Sequence, residues 1–171
     1  MTIAERNGAV LRHAREDDLP AVDALTVAGY APIQESFVAM LGADVYETVF
    51  AEPERTWDER KCAQNRTLFA EHPERLWVLD EGGVVFGYVT FWVDPRGRYG
   101  RLENNAVAAA RAGRGWATFM YRSVLDHFRA LGLRYANVDT HLDDAHIPAR
   151  RAYEAVGFDR AVPSVDLWQK L

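Results

Sequence analysis

The sequence predicts an α/β domain with an antiparallel meander in its middle. Three observations carry that expectation. Segments of strand and helix periodicity follow in the order strand, helices, three strands, helix, strand, helix, strand. Glu81-Gly82-Gly83 separates two strand-like runs, the pattern of a β-hairpin. The chain has 171 residues, 49% of them hydrophobic, enough apolar material for one core. A single domain over residues 1–171 is expected, with its ordered core from about residue 9.

The elements follow in order. Val10 to Ala14 is a short strand. Asp17 or Asp18 then caps a helix with Pro20 in its first turn, and Leu19, Val22 and Leu25 lie on its apolar face. From Tyr30 to Pro73 the pattern is helical but broken, with Pro32, Gly42, Pro53 and Pro73 as punctuation. Leu76–Leu79 and Val84–Val93 form the hairpin, and Arg101–Val107 is a third strand. A helix runs to about Leu131, with Trp116, Phe119, Met120, Val124 and Phe128 on one face and Gly132 as its stop. Tyr135–Thr140 is a strand, Pro148 opens a helix that Gly157 ends, and Val165–Leu171 is a final strand.

Composition narrows the function classes. Cys62 is the sole cysteine, so neither an internal disulfide nor a cysteine-rich metal site can form, and a reducing cytoplasm is the expected compartment. The net charge of −5 argues against nucleic acid as a partner. No apolar run reaches the roughly 18 residues of a membrane helix, and Met1–Ala9 lacks the apolar stretch of a secretory signal. His141-Leu-Asp-Asp-Ala-His146 offers metal-ligating types, but Pro148 and the loop setting give no regular ligand face, so no metal is expected. His72 and His127 read as solvated helix residues.

Gly113-Arg114-Gly115 carries the chemistry. It lies between a strand and a helix, where unpaired N–H groups and a partial positive charge meet an anion. Glycines admit a phosphate to the backbone, and Arg111 and Arg114 add charge. A pyrophosphate ligand and a merely tight turn both fit. A dinucleotide fingerprint is incomplete, because the third glycine is missing. A P-loop is excluded, because no G-K-[ST] follows.

Val107-Ala-Ala-Ala-Arg-Ala-Gly113-Arg-Gly115-Trp-Ala117 resembles the acyl-CoA loop of the GNAT superfamily of N-acyltransferases. His146-Ile-Pro-Ala149-Arg-Arg-Ala-Tyr153-Glu-Ala-Val-Gly157-Phe158 resembles that superfamily's second signature. The likeness runs from about Val10 to the C-terminus and is weakest from Tyr30 to Pro73. It departs at Ala110 and Ala112, where a Gln or Arg and a basic residue are usual, and at His146, which replaces an Asn.

The resemblance implies a mostly antiparallel central sheet flanked by helices, with two strands splayed to hold the cofactor. It implies an N-acetyltransferase that moves an acetyl group directly from acetyl-CoA to a primary amine of a small molecule or peptide. The backbone from Ala112 through Gly113, Arg114, Gly115 and Trp116 to Ala117 would hold the pyrophosphate. Val107 would pair with the pantetheine arm, and His146 would take the place of the Asn. Tyr153 would protonate the leaving thiolate, and either His141 or Glu103 would relieve the amine of its proton. Alternation places Glu103, Asn105 and Val107 on one face and Asn104 on the other. A homodimer is compatible with the resemblance, though no residue pattern fixes it. A non-catalytic acyl-CoA sensor on the same fold and a dinucleotide-dependent enzyme are the competing readings.

Overall fold

The computed structural model describes residues 1–52 and 54–171, so the expected break at Pro53 lies outside the described residues. Six strands form one sheet in the order β1-β2-β3-β4-β5-β6. They are β1 (Thr2–Arg6), β2 (Ala9–His13), β3 (Leu76–Glu81), β4 (Val84–Val93), β5 (Tyr99–Val107) and β6 (Tyr135–Val138). All neighbours are antiparallel except β5 and β6, which run parallel. The longer helices are α1 (Leu19–Leu41), α2 (Trp57–Glu71), α3 (Trp116–Ala130) and α4 (Ile147–Glu154).

Three local outcomes differ from the sequence expectation. A strand, β1, precedes the first expected one and turns into β2 through Asn7 and Gly8, both at positive φ (50° and 84°). α1 passes through Pro32 without ending there and stops at Gly42. The more than three helical turns before Pro32 already pack on the sheet, which outweighs the lost hydrogen bond. Residues Val165–Leu171 form no strand. Their apolar side chains stay in solvent, with Leu167 90% exposed, and only Trp168 and Lys170 reach the body, at Phe50 and Asp44.

Alternation in β3 divides the core. Trp77 and Leu79 face α3 and α4, together with Val89, Phe91, Leu102, Met120 and Phe128. Leu76 and Val78 face α1, together with Val22, Tyr88 and Ala106. α3 lies close on β5 because Gly100 has no side chain: a Cβ there would sit 2.5 Å from the Phe128 ring. His127, expected in solvent, instead packs against Trp77 and Phe91, each with ring centroids 5.4 Å away. Arg12 of β2 holds two carboxylates, Asp18 at 2.7 Å and Asp80 at 2.7 Å, and so ties the start of α1 to the sheet.

Candidate active site

β5 and β6 are paired only from Tyr99–Tyr135 to Leu102–Val138, so β5 runs on to Val107 with one edge free. The direction of its backbone groups follows from the other edge. Ala108 N–H donates to Phe86 O at 2.8 Å, and Asn104 O accepts from the Thr90 hydroxyl at 3.0 Å, so even-numbered residues here face β4. In an antiparallel ladder both groups of a residue point the same way and alternate along the strand. The backbone groups of Asn105 and Val107 therefore face the open gap.

The gap leads to the glycine loop. Gly113 and Gly115 have φ of 72° and 76°, a region that a side chain makes costly. A Cβ on Gly113 would meet nothing within 4 Å, so the loop is open on that side. Gly115 is the N-cap of α3, whose first N–H groups point out of the helix. These features fit a pyrophosphate. The loop is braced from behind by a residue the sequence reading missed. Arg6 of β1 donates to Gly115 O at 2.6 Å and to Arg114 O at 3.0 Å, and its guanidinium stacks 4.9 Å from the Trp116 ring centroid. Arg111 is not free to serve the loop as expected, because it pairs with Glu81 and covers Phe86. Arg150 is likewise engaged, donating to His141 O and Asp143 O at 2.6 and 2.8 Å.

Tyr153 reaches the gap from α4. Gly157 and Phe158 close that helix: Phe158 N–H donates to Tyr153 O at 3.2 Å. The Tyr153 ring lies between Tyr121 and Phe158, with centroids 4.9 and 6.0 Å away, and is 6% exposed. The Tyr121 hydroxyl donates to Asn105 Oδ1 at 2.6 Å, which fixes the orientation of that amide. Asn105 Nδ2 then donates to the Tyr153 oxygen at 3.3 Å. The Tyr153 oxygen is thus an acceptor in this chain, and its own proton remains available to another group. Burial raises the Tyr153 pKa, against the hydrogen bond from Asn105 and the nearby Tyr121 hydroxyl, so the phenol keeps its proton at neutral pH.

Glu103 does not share a face with Asn105. The register with β4 slips between Val89 and Phe91, which puts one extra residue into β5 between Leu102 and Asn105. Asn104 faces the α1–α2 side, where Asn65 Oδ1 and the Tyr30 hydroxyl bind it at 2.9 and 3.3 Å. Asn105 stays with Tyr121 and Tyr153 on the α3–α4 side. The Glu103 carboxylate sits 3.0 Å from Arg101 Nε. Burial raises its pKa, with nearby Asp139 adding to the rise and Arg101 and Lys61 opposing it. A carboxylate shifted upward in this way is a better proton acceptor than a fully solvated one.

The two histidines lie elsewhere, beside Phe37 of α1. His141 is exposed, with its ring 5.1 Å from Phe37 and 5.0 Å from His146. His146 is buried, and its Nδ1 lies 2.5 Å from Asp143 Oδ1. The Ser36 hydroxyl donates to the other Asp143 oxygen at 2.7 Å, so His146 helps tie the loop before α4 to α1. Among the described residues, no group of three or more His, Cys, Asp or Glu is placed to hold a metal ion. No helix among them is long and apolar enough to cross a membrane.

Comparison with known proteins agrees with this layout. The structure is similar to that of AAC(6')-Iy in complex with the bisubstrate analog CoA-S-monomethyl-acetylneamine, with 14% identity, a TM-score of 0.60, and coverage of 95% of this chain and 99% of that one. It is similar to a predicted acetyltransferase with acetyl-CoA from Clostridium acetobutylicum, with 16% identity, a TM-score of 0.57, and coverage of 93% and 95%. It is also similar to a GNAT family acetyltransferase from Brucella melitensis in complex with acetyl-CoA, with 18% identity, a TM-score of 0.59, and coverage of 94% and 95%. No curated protein sequence matches. The family model for the acetyltransferase (GNAT) family matches residues 42–158, which is more than half of the chain and includes both the glycine loop and Tyr153. With its splayed strands, glycine loop and inward tyrosine, the chain belongs to the GNAT family of acetyltransferases.

Proposed function

We propose that this chain acts as one catalytic domain that transfers the acetyl group of acetyl-CoA directly to a primary amine of a small molecule or peptide. The observation that carries the reading is the convergence of three features on one gap. These are the free β5 edge from Asn105 to Val107, the open glycine loop, and the Tyr153 phenol with its proton uncommitted.

Each role follows from that placement. Backbone amides from Ala112 to Ala117, at the start of α3, bind the pyrophosphate, and Arg6 keeps the loop carbonyls turned away from it. The backbone of Val107 pairs with the amide groups of the pantetheine arm, as a neighbouring strand would. Bound acetyl-CoA supplies an activated thioester. Glu103 accepts the proton of the incoming ammonium, directly or through one water. A solvated amine has a pKa of about 10.4 and is otherwise almost wholly protonated at neutral pH. Tyr153 donates its hydroxyl proton toward the sulfur as the C–S bond breaks. His141 is the alternative base, but its place beside Phe37 and outside the bulge favours Glu103. His146 serves by position, fixing the loop before α4 through Asp143.

The reading is tested by incubating the protein with acetyl-CoA and a library of primary amines while following free thiol. Acetylated product with stoichiometric thiol is expected. Tight acetyl-CoA binding without product on any amine would instead support a non-catalytic sensor.

A further inference from the structure

α1 and α2 run antiparallel beside the gap and meet in three successive rungs. The innermost is buried: Asn65 Nδ2 donates to the Thr26 hydroxyl at 3.0 Å, and both lie against the Tyr88 hydroxyl. One turn further out, Lys61 Nζ stands 4.6 Å over the Tyr30 ring. One turn beyond that, Gln34 and Trp57 line an open groove of about 430 Å³, with Ala31, Val38 and Tyr46. Rungs four residues apart are separated by about 6 Å along a helix.

The rungs differ in chemistry. Tyr30 and Asn65 both bind Asn104 on the β5 bulge, so the middle rung adjoins Glu103. Lys61 is half-buried over the Tyr30 ring, and Glu103 is the carboxylate whose charge it feels. A partly desolvated ammonium gains from a partner there. The outer groove is mostly apolar and aromatic, with Gln34 and Glu35 as its polar members. Tyr46 is fixed in it at both ends, by its hydroxyl donating to Gln34 Oε1 at 2.8 Å and by its ring stacking on Phe50. Glu103, then Lys61, then an apolar pocket is an ordered set: a group for an ammonium, a group for a carboxylate, and a place for an apolar body.

We propose that the acceptor is a free α-amino acid with an apolar or aromatic side chain. Its amino group faces Glu103, its carboxylate pairs with Lys61, and its side chain lies between Tyr46 and Trp57. The proposal rests on the acetyl-transfer reading of the same gap and names its substrate class. A plain amine would compete with Lys61 for Glu103 and bring no anion in return, and a polycationic acceptor would meet Lys61 as a like charge.

The test is equilibrium binding, which does not depend on turnover. L-phenylalanine, L-phenylalaninamide and phenethylamine are titrated calorimetrically into the CoA-saturated protein. The amino acid is expected to bind about tenfold or more tightly than the other two, the scale of one charge-assisted contact. Lys61→Met keeps the apolar stem and should abolish that preference, so that the amino acid binds no more tightly than the amide. Trp57→Ala should weaken L-phenylalanine more than L-alanine. Equal binding of the amide or the amine by the wild-type protein would overturn the proposal, as would no binding of any of the three, whatever the variants do. Failure of acetyl transfer itself shows differently, as no thiol release with any amine, including those that bind.

Discussion

Replacing Tyr153 by Phe removes one oxygen and one proton from the gap and little else. The ring keeps its place between Tyr121 and Phe158, and the buried surface is almost unchanged. The structural cost is the hydrogen bond from Asn105 Nδ2, which loses its acceptor. Asn105 is only half-buried, so water can replace the lost partner, and about 1 kcal/mol is expected. In a domain of this size that is about 2–4 °C in Tm. The catalytic cost is separate. A positioned acid contributes about 10²- to 10⁴-fold in rate, or about 3–5.5 kcal/mol in the barrier. Tyr153→Phe should therefore lower kcat by that factor, with acetyl-CoA affinity within about twofold of wild type and a melting curve shifted by only a few degrees. Turnover is measured by thiol release on an accepted amine, affinity by calorimetry, and Tm by circular dichroism. Unchanged kcat would show that water or substrate protonates the sulfur. A drop confined to acetyl-CoA affinity would make Tyr153 a binding residue and refute the chain from Tyr121 through Asn105.

Other perturbations separate the remaining roles. Glu103→Gln should remove an acidic limb from the kcat/KM profile that lies above the ordinary carboxylate range, because burial raises this group; a limb that survives there and vanishes in His141→Gln would make His141 the base. Gly113→Val should weaken acetyl-CoA binding with modest loss of stability, since its Cβ meets open space, whereas Gly115→Val also crowds the Arg6 guanidinium, 3.2 Å from the added carbon, and should lower Tm further. Asp18 gives a pH test of stability: burial pushes its pKa up, but the hydrogen bond from Arg12, the Arg15 N–H and their charges prevail and the pKa is lowered. A depressed carboxylate stabilises the fold above its unfolded pKa of about 3.9, and the stabilisation is lost as pH falls through the folded value. Asp18→Asn should thus cost stability at pH 7, about 1.5–3 kcal/mol because Arg12 keeps Asp80 as its partner, and flatten the decline of Tm in acid.

The parts of the molecule that sequence revealed are those specified locally. The α3 face, the glycine loop and the Pro148-to-Gly157 helix are each set by periodicity or capping within a few residues, and Tyr153 came with them. What sequence hid was set at a distance or by one residue of register. Arg6 braces a loop 109 positions away, which no local pattern encodes. The Asn7-Gly8 pair was a readable hairpin turn, but β1 itself is short, polar and half-exposed and so resembles a loose terminus. The β5 bulge moved Glu103 off the face of Asn105, while Asn104 kept the opposite face that alternation gives it; sequence hid the shift, since an inserted residue looks like any other. Val165–Leu171 shows strand-like alternation, yet alternation gives a strand only where a neighbouring edge takes it up, and this tail crosses to Phe50 and Asp44 instead.

The central claim is that the gap beside β5 passes an acetyl group from CoA to an amine. It is tested most directly with acetyl-CoA carrying a labelled acetyl group, supplied together with a panel of free amino acids and primary amines. The account predicts label on the acceptor nitrogen, one thiol released per label transferred, and loss of both in the Gly113→Val and Tyr153→Phe proteins. Label that stays on CoA, or thiol released with the acetyl group going to water whatever amine is present, would contradict it.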